Sequence, residues 1–231
     1  MGVGAVIAAA GRGRRMALAI EKQFVTIANK PILVHTLERF NQCALIDSIV
    51  VVAPSAVTKW IEEEVVPQHQ LLKVARVVTG GESRQASVFA GLKALDDRCA
   101  VVAIHDAVRP LIAAALLIEV IKKGIETGAA ILAVPIQESV KRISQDKITQ
   151  TIDRNDLWLA QTPQVFHREL ILKAYQQAEA EGFVGTDDAM LVERLNYPVH
   201  VVMGDYRNFK ITTPIDLEWA EFLLKKEGDK T

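Results

Sequence analysis

Residues 5–24, AVIAAAGRGRRMALAIEKQF, begin as a short apolar run and continue as a glycine-rich loop with three arginines, followed by a lysine. The apolar run is typical of a buried strand, and a glycine-rich loop after a strand presents backbone N–H groups to an anion. Together with the cations, this segment favours binding of a polyanion, in practice the phosphate chain of a nucleotide.

Composition limits the classes of partner. The chain has 231 residues, half of them hydrophobic, so it can bury one large core, and we expect a single domain over residues 1–231. Its 27 Lys and Arg residues balance 28 Asp and Glu residues, so no global basic field favours nucleic acid or an anionic membrane. Any anion site must therefore be local.

The two cysteines, Cys43 and Cys99, have neither disulfide-framework nor zinc-site spacing. The first strand begins near Met1, which leaves no room for a targeting segment, and no apolar run approaches the roughly 18 residues of a membrane span. We therefore expect a cytoplasmic protein that binds neither membrane nor nucleic acid.

Apolar β-branched runs alternate with helical patterns along most of the chain. Strands are predicted at 3–9, 48–53, 74–78, 100–104, 129–136 and 199–203. Helices are predicted at 31–40, 55–66, 84–95, 113–127, 167–181, 187–195 and 214–226. This alternation is typical of a doubly wound α/β sheet.

One segment departs from this alternation. Residues 138–153, ESVKRISQDKITQTID, alternate apolar and polar residues around a polar turn at 145–147. The pattern predicts a β-hairpin that projects from the body as an arm, at about residues 137–156. Because a projecting hairpin exposes two strand edges, and the same arm from a second subunit can cover them, we expect a homodimer.

The glycine loop is open to two interpretations. GRGRRM at 11–16 resembles a dinucleotide fingerprint but lacks its third glycine, and residues 31–41 are predicted as helix where a ribose-binding acid on a second strand would be needed. A NAD(P)-binding oxidoreductase is therefore a weaker hypothesis than a protein that binds a reacting triphosphate.

A second cluster, HDAVRP at 105–110, follows a predicted strand. Ligands of open α/β sheets bind beyond the carboxyl ends of strands, so Asp106 and Arg109 should face the same crevice as the glycine loop. Asp106 could hold a sugar hydroxyl, help to position Mg²⁺, or cap a helix. His105 is interpreted as a base or, more simply, as a hydrogen-bonded structural residue.

Two further motifs are candidates for the predicted nucleotide site. GGESRQAS at 80–87 joins a strand to a helix and could contact a nucleobase edge, with simple helix capping as the alternative. Lys210 lies between apolar residues in a predicted short strand, and a half-buried lysine is costly unless it meets an anion.

Taken together, these motifs resemble the 2-C-methyl-D-erythritol 4-phosphate cytidylyltransferase family over nearly the whole chain. The resemblance rests on AAGRGRRM, KQF, GGESRQASVFAGL, HDAVRP, DRNDLWLAQTPQ, TDDA and NFKITTPIDL, in that order. It implies a single-domain nucleotidyltransferase with a Rossmann-like, mostly parallel sheet, which uses CTP and methylerythritol phosphate and a divalent cation such as Mg²⁺. It also implies a homodimer that exchanges its arms.

The resemblance implies roles for individual residues. The catalytic residues would be Arg15, Lys22, Arg154 and Lys210, with Arg154 reaching across from the partner subunit. Nucleotide-binding residues would be Ala9, Ala10, Gly11, Gly13, Gly81 and Ser87. The acceptor pocket would include Asp106, Arg109, Thr162 and Thr186, and Mg²⁺ would be held mainly by the triphosphate.

The chain departs from the family pattern at two positions. Glu21 and Ala8 replace prolines that are usual in the family. Glu21 could loosen the segment that aims Lys22 and partly neutralise its charge. The nearest alternative function is a polyol-phosphate cytidylyltransferase that makes CDP-ribitol, and a catalytically silent nucleotide-binding regulator remains a third hypothesis.

Overall fold

The centre of the fold is a seven-stranded sheet, seen in a computed structural model that describes residues 2–11 and 21–228. The chain's strands are β1 (Gly2–Ala8), β2 (Thr26–Ile27), β3 (Lys30–Pro31), β4 (Ser48–Ala53), β5 (Val74–Thr79), β6 (Cys99–Asp106), β7 (Ala129–Pro135), β8 (Val140–Ser144), β9 (Lys147–Ile152), β10 (Trp158–His167) and β11 (His200–Met203). The central sheet has the order β11-β7-β10-β6-β1-β4-β5, and all neighbours pair in parallel except those of β10.

Helices cover both faces of this sheet. They are α1 (Ile32–Gln42), α2 (the consecutive segments Thr58–Trp60, Ile61–Val65 and Val66–Gln68, the middle one π-helical), α3 (Arg84–Ala94), α4 (Ala114–Thr127), α5 (Arg168–Ala180), α6 (Asp188–Glu193) and α7 (Pro214–Gly228). Single 3₁₀ turns span Lys22–Phe24 and Ser55–Val57.

The alternation of side chains along β1 builds two core layers. Ala5 and Ile7 pack with α1, α2 and α4 on one face, whereas Val6 packs with α3, α5 and α6 on the other. A third, smaller cluster joins α7 to the β2–β3 hairpin through Ile27, Ile211 and Leu224. The predicted doubly wound, mostly parallel α/β sheet is thus confirmed.

Strand β10 was not predicted. It lies antiparallel between β6 and β7, and its middle carries Gln161, Thr162 and Gln164 together with Pro163. Polar residues and a proline weaken a strand pattern in the sequence. In the structure the pairing register shifts between Gln161 and Gln164, so the ladder passes over the proline as a bulge.

The predicted arm is present as the hairpin β8–β9. Its strands pair antiparallel, and Gln145 and Asp146 form the turn with positive φ values of 48° and 63°. The hairpin forms its own sheet and is exposed along most of its length. Within the described ranges, no helix has both the length and the apolar character needed to cross a membrane.

Candidate active site

A cleft of about 470 Å³ opens at the carboxyl ends of β1 and β6. This is where an open α/β sheet binds its ligands. The cleft is lined by Ala8, Ala9, Ala10, Gly11, Lys22, Gln23, Gly81, Glu82, Ser83, Arg84, Ser87, Asp106, Val108 and Lys210. Five separate segments of the chain therefore meet at one concave surface.

Glycines let the start of α3 approach the end of β1. A Cβ atom on Gly80 would lie 2.3 Å from Ala10 Cβ, and one on Gly81 would lie 2.6 Å from Ala86 Cβ. Ser83 caps α3 by accepting a hydrogen bond from the Ala86 N–H at 3.0 Å. The predicted capping role of this motif is confirmed, and the capped helix begins at the cleft wall.

Lys22 is held in the cleft by the turn that carries it. Its ammonium donates a hydrogen bond to the Ile211 carbonyl at 2.9 Å, and the lysine is 9% exposed. The neighbouring Gln23 amide donates to the Ala9 carbonyl at 2.6 Å and to the Glu21 carboxylate at 2.9 Å. The turn is thereby tied to the end of β1, and Glu21 takes part in that attachment.

Asp106 is the centre of a charged cluster at the end of β6. Its Oδ1 accepts a hydrogen bond from Arg84 Nε at 3.1 Å, its Oδ2 accepts one from Lys210 Nζ at 2.8 Å, and Arg109 Nε lies 3.7 Å from Oδ2. Burial raises the pKa of Asp106, but the three cations outweigh it and hold that pKa well below its usual range. Asp106 is therefore ionised at any working pH.

The position of the next helix excludes the predicted role of Asp106 as a helix cap. The next helix, α4, begins at Ala114 after Ala113, so Asp106 does not cap it. Both of its carboxylate oxygens accept hydrogen bonds, one from Arg84 and one from Lys210. Among residues 2–11 and 21–228, no three His, Cys, Asp or Glu side chains are arranged to hold a metal ion.

His105 lies behind the cleft, not in it. Its ring is fully buried, contacts Phe40 at a centroid distance of 4.8 Å, and lies 3.0 Å from Thr162 Oγ1 and 3.1 Å from the Arg109 carbonyl. Because a carbonyl only accepts, Nε2 donates to Arg109 and Nδ1 accepts from Thr162. Burial lowers the pKa of His105 to about 4, so the structural interpretation of this residue is confirmed.

Lys210 reaches the cluster from a coil segment, so the predicted strand around it is wrong. Its neighbour Ile211 is fully buried against α7, and the Ile211 N–H donates to the Val108 carbonyl at 2.9 Å. Tertiary packing, rather than a strand ladder, therefore places the Lys210 ammonium next to Asp106.

The remaining predicted residues lie around the cleft rather than on its wall. Thr162 Oγ1 accepts a hydrogen bond from the Asp106 N–H at 3.1 Å and so helps to fix the backbone of Asp106. Arg109 donates to the Asn208 carbonyl at 2.7 Å. Thr186 lines an adjacent pocket of about 80 Å³ that shares Ser83 and Arg84 with the main cleft.

Arg154, at the base of the arm, is exposed and donates to the Gln137 carbonyl of its own chain. Gly13 and Arg15 fall outside the described residues. A single chain therefore brings the described nucleotide residues together with Lys22, Asp106 and Lys210, whereas Arg154 lies elsewhere. Those nucleotide residues are Ala9, Ala10, Gly11, Gly81 and Ser87.

Arg84 is a charged cleft residue that was missed in the sequence. Arg84 pairs with Asp106 and, through two hydrogen bonds of 3.0 and 2.8 Å, with Asp188. The sequence signals were an arginine at the first position of α3 and the carboxylates of TDDA, residues 186–189. Nothing in the sequence connects them, since Arg84 and Asp188 are 104 residues apart.

Fold and cleft together define a class: an α/β protein with an anion site at the carboxyl ends of its parallel strands. The family model of 2-C-methyl-D-erythritol 4-phosphate cytidylyltransferase (IspD) matches residues 3–226. The chain belongs to this family, as the resemblance in its sequence implied.

Individual members of the family are similar to the chain over nearly its whole length. The chain is 48% identical over 227 residues to a 2-C-methyl-D-erythritol 4-phosphate cytidylyltransferase of Geotalea uraniireducens, covering 97% of each sequence. It is 44% identical to one of Caldanaerobacter subterraneus, covering 98% of this chain and all of the relative. A crystal structure of 4-diphosphocytidyl-2C-methyl-D-erythritol synthase from Anaerococcus prevotii aligns with a TM-score of 0.84 at 32% identity, over 97% of this chain and 98% of the other.

Proposed function

We propose that this protein transfers the cytidylyl group of CTP to 2-C-methyl-D-erythritol 4-phosphate and releases pyrophosphate. The observation that carries the proposal is the cleft itself, in which Lys22 and Lys210 line the same concave surface as Gly11 and the start of α3. Family membership over residues 3–226 supports the same reaction.

The reaction needs charge neutralisation more than a base. An oxygen of the acceptor phosphate attacks the α-phosphorus of CTP, and the bond from that phosphorus to the pyrophosphate oxygen breaks. The attacking phosphate is already ionised at neutral pH, so no proton has to be removed by the protein. Lys22 would neutralise charge on the α-phosphate, and Arg15 would join it there.

The charged cluster suits the acceptor phosphate. Its described members are two carboxylates and three cations, Asp106 and Asp188 against Arg84, Arg109 and Lys210, which leaves one positive charge unbalanced. Lys210 and Arg154 would orient the acceptor phosphate, and Asp106, Arg109, Thr162 and Thr186 would surround the polyol. Gly81 and Ser87 would contact the cytosine.

A divalent cation such as Mg²⁺ would arrive with the triphosphate and neutralise part of its charge. The two carboxylate oxygens of Asp106 are engaged by Arg84 and Lys210, which favours a metal held by the nucleotide over one held by the protein. Two free, buried cysteines support a cytoplasmic enzyme.

The active form would be a homodimer. The arm exposes Ile143 and Ile148, 56% and 63% accessible, along a hairpin that pairs with no other strand within residues 2–11 and 21–228. Burying this arm against a second subunit would cover its apolar side chains and its edges. It would also carry Arg154 to the partner's cleft.

The test is pyrophosphate release with each of the four nucleoside triphosphates, combined with methylerythritol phosphate or ribitol 5-phosphate. The proposal predicts turnover with CTP and methylerythritol phosphate. Turnover with ribitol 5-phosphate instead would assign the alternative polyol acceptor, and no turnover with CTP and either acceptor would refute cytidylyl transfer.

A further inference from the structure

Arg84 joins the main cleft to a buried network behind it. Its Nε donates to Asp106 Oδ1 at 3.1 Å, while its two terminal nitrogens donate to the two oxygens of Asp188 at 3.0 and 2.8 Å. A planar guanidinium bound by a carboxylate through two parallel hydrogen bonds has a defined orientation. The direction of Nε toward Asp106 is therefore set by Asp188.

Asp188 is itself held rigidly. Its side chain is 1% exposed, and the Tyr175 hydroxyl donates a short hydrogen bond to its Oδ1. The Asp188 N–H donates to Gln164 Oε1 at 3.1 Å. Tyr175 is 1% exposed and stacks on Phe89 with ring centroids 5.4 Å apart, so the whole chain of contacts is anchored in the core.

Burial, followed by the neighbouring Asp188 carboxylate, raises the pKa of Tyr175 well above its ordinary value. The hydroxyl therefore keeps its proton at neutral pH and donates it to Asp188.

The orientation of Arg84 affects the cleft through Asp106, which contacts both Arg84 and Lys210. With Oδ1 held by Arg84, the second oxygen, Oδ2, points to Lys210, whose ammonium lies 2.8 Å away. Lys210 is 33% exposed in its side chain and needs such a partner to keep one position. A shift of Arg84 would thus move both Asp106 and Lys210, although Asp188 and Tyr175 line the adjacent pocket of Thr186 and not the main cleft.

We propose that Arg84, oriented by Asp188 and Tyr175, is a positioning residue that aligns Asp106 and Lys210 for the acceptor. The inference rests on the proposed function, because Asp106 and Lys210 are the residues proposed to meet the acceptor phosphate and polyol. The hydrogen bonds that Arg84 donates go to Asp106 and Asp188. On the proposed CTP side, Gln23 next to Lys22 donates instead to the Ala9 carbonyl after β1.

Two substitutions outside the cleft test this role. Tyr175→Phe removes one hydroxyl without changing the ring, and Asp188→Asn removes the charge while preserving the shape. If Asp188 acted only through its charge, its neutralisation would tighten binding of both anionic substrates. A positioning role predicts the opposite for the acceptor, because the guanidinium loses its defined orientation.

Steady-state kinetics and calorimetric titration with CTP separate these effects. We expect the acceptor KM to rise about tenfold in Asp188→Asn and about threefold in Tyr175→Phe. The Kd for CTP should stay within about twofold of the wild-type value in both variants. Asp96→Asn provides a matched control for Asp188→Asn, because Asp96 accepts two hydrogen bonds from the Arg98 guanidinium in an exposed pair away from the cleft.

The outcomes are distinct. A lower kcat with unchanged acceptor KM and a lowered unfolding temperature would mean that the network only stabilises the fold, and would overturn the positioning role. A wild-type acceptor KM in both variants, or a lower one, would overturn it as well. Absence of wild-type turnover with any acceptor would instead overturn the proposed function, and this inference with it.

Discussion

Lys22 shows how one residue combines burial with charge. An ammonium that is 9% exposed is costly unless hydrogen bonds and an anion compensate for it. The Ile211 carbonyl supplies one hydrogen bond, and the triphosphate proposed for the cleft would supply the anion. The neighbouring Glu21 has a φ of −61°, a value that proline also adopts, so its backbone keeps the conformation expected of the family's usual proline.

Lys22→Ala should lower kcat by about a hundredfold, because it removes charge stabilisation at the reacting phosphorus. The measurement is pyrophosphate release at saturating CTP and acceptor. Lys30→Ala is the control, since the Lys30 ammonium pairs with Glu38 outside the cleft. An unchanged kcat in the Lys22 variant would show that this ammonium has no catalytic role.

His105 gives the stability of the protein a specific pH dependence. Its folded-state pKa is about 4, below the ordinary value of 6.5, so the unfolded chain binds the proton first as the pH falls. The contribution to the free energy of unfolding is complete above pH 6.5 and decreases from there towards pH 4. Linkage gives a loss of about 2 kcal/mol between about pH 7.5 and pH 5.

Urea unfolding of the wild type and of His105→Asn at these two pH values measures this contribution. The variant should be less stable at neutral pH but should lose about 2 kcal/mol less on acidification. Other titrating groups, His35 included, are common to both proteins and cancel in the difference. Equal losses in the two proteins would contradict a neutral, buried His105.

At the scale of elements, the contact between α3 and β1 shapes the nucleotide side of the cleft. Gly80 and Gly91 both lie where a side chain would collide with the neighbouring layer. A Cβ on Gly80 would meet Ala10 Cβ at 2.3 Å at the cleft, and one on Gly91 would meet Val6 Cγ1 at 2.5 Å in the core. The loop that leads into α3 therefore has a close approach that serves the site, and α3 itself has one that serves packing.

Gly80→Ala should raise the KM for CTP by about tenfold, because the new methyl group displaces Ala10 from the cleft wall. Gly91→Ala is the matched control. It should destabilise the fold by about 1–3 kcal/mol while leaving the KM for CTP unchanged. Steady-state kinetics and urea unfolding of both variants check this, and an unaltered KM in Gly80→Ala would refute the role of this close approach.

Elements whose burial follows a simple period could be predicted from sequence. The buried strand β1, the capped start of α3 and the polar hairpin arm all have patterns that reflect their own local environment. Strand β10 could not, because its interior residues Gln161 and Gln164 are buried for their hydrogen bonds and not for their hydrophobicity. The periodicity of apolar residues does not indicate strands whose buried residues are polar and hydrogen-bonded.

The candidate site could likewise be predicted from sequence only where local patterns indicated it. Glycine loops, lysines and carboxylates at strand ends indicated an anion cleft, since strand topology brings those ends together. The bridging role of Arg84 depends on Asp188 and Tyr175, which reach it only through tertiary packing. The coil around Lys210 is likewise held by Ile211, which packs in a cluster with residues of α7.

At the scale of the whole molecule, the arm separates one proposed catalytic residue from the others. Arg154 lies outside the cleft formed by Lys22, Asp106 and Lys210. If each arm completes the neighbouring site, then a heterodimer of an Arg154→Ala chain and a Lys22→Ala chain contains one site with both residues intact. Mixing the two inactive variants should therefore restore part of the activity.

Differently tagged chains, purified as heterodimers, provide this measurement. About half of the wild-type activity per heterodimer is expected, because one of two sites is complete. Each variant homodimer serves as the control. No recovery in verified heterodimers would show that Arg154 does not act across the subunit interface.

In the proposed reaction, the cleft joins the α-phosphorus of CTP to the acceptor phosphate. Phosphorus NMR of the reaction with CTP and methylerythritol phosphate observes the new bond itself. Two mutually coupled signals of a new diphosphate are expected, together with pyrophosphate. A CMP signal with unchanged acceptor phosphate would show hydrolysis instead, and would contradict nucleotidyl transfer.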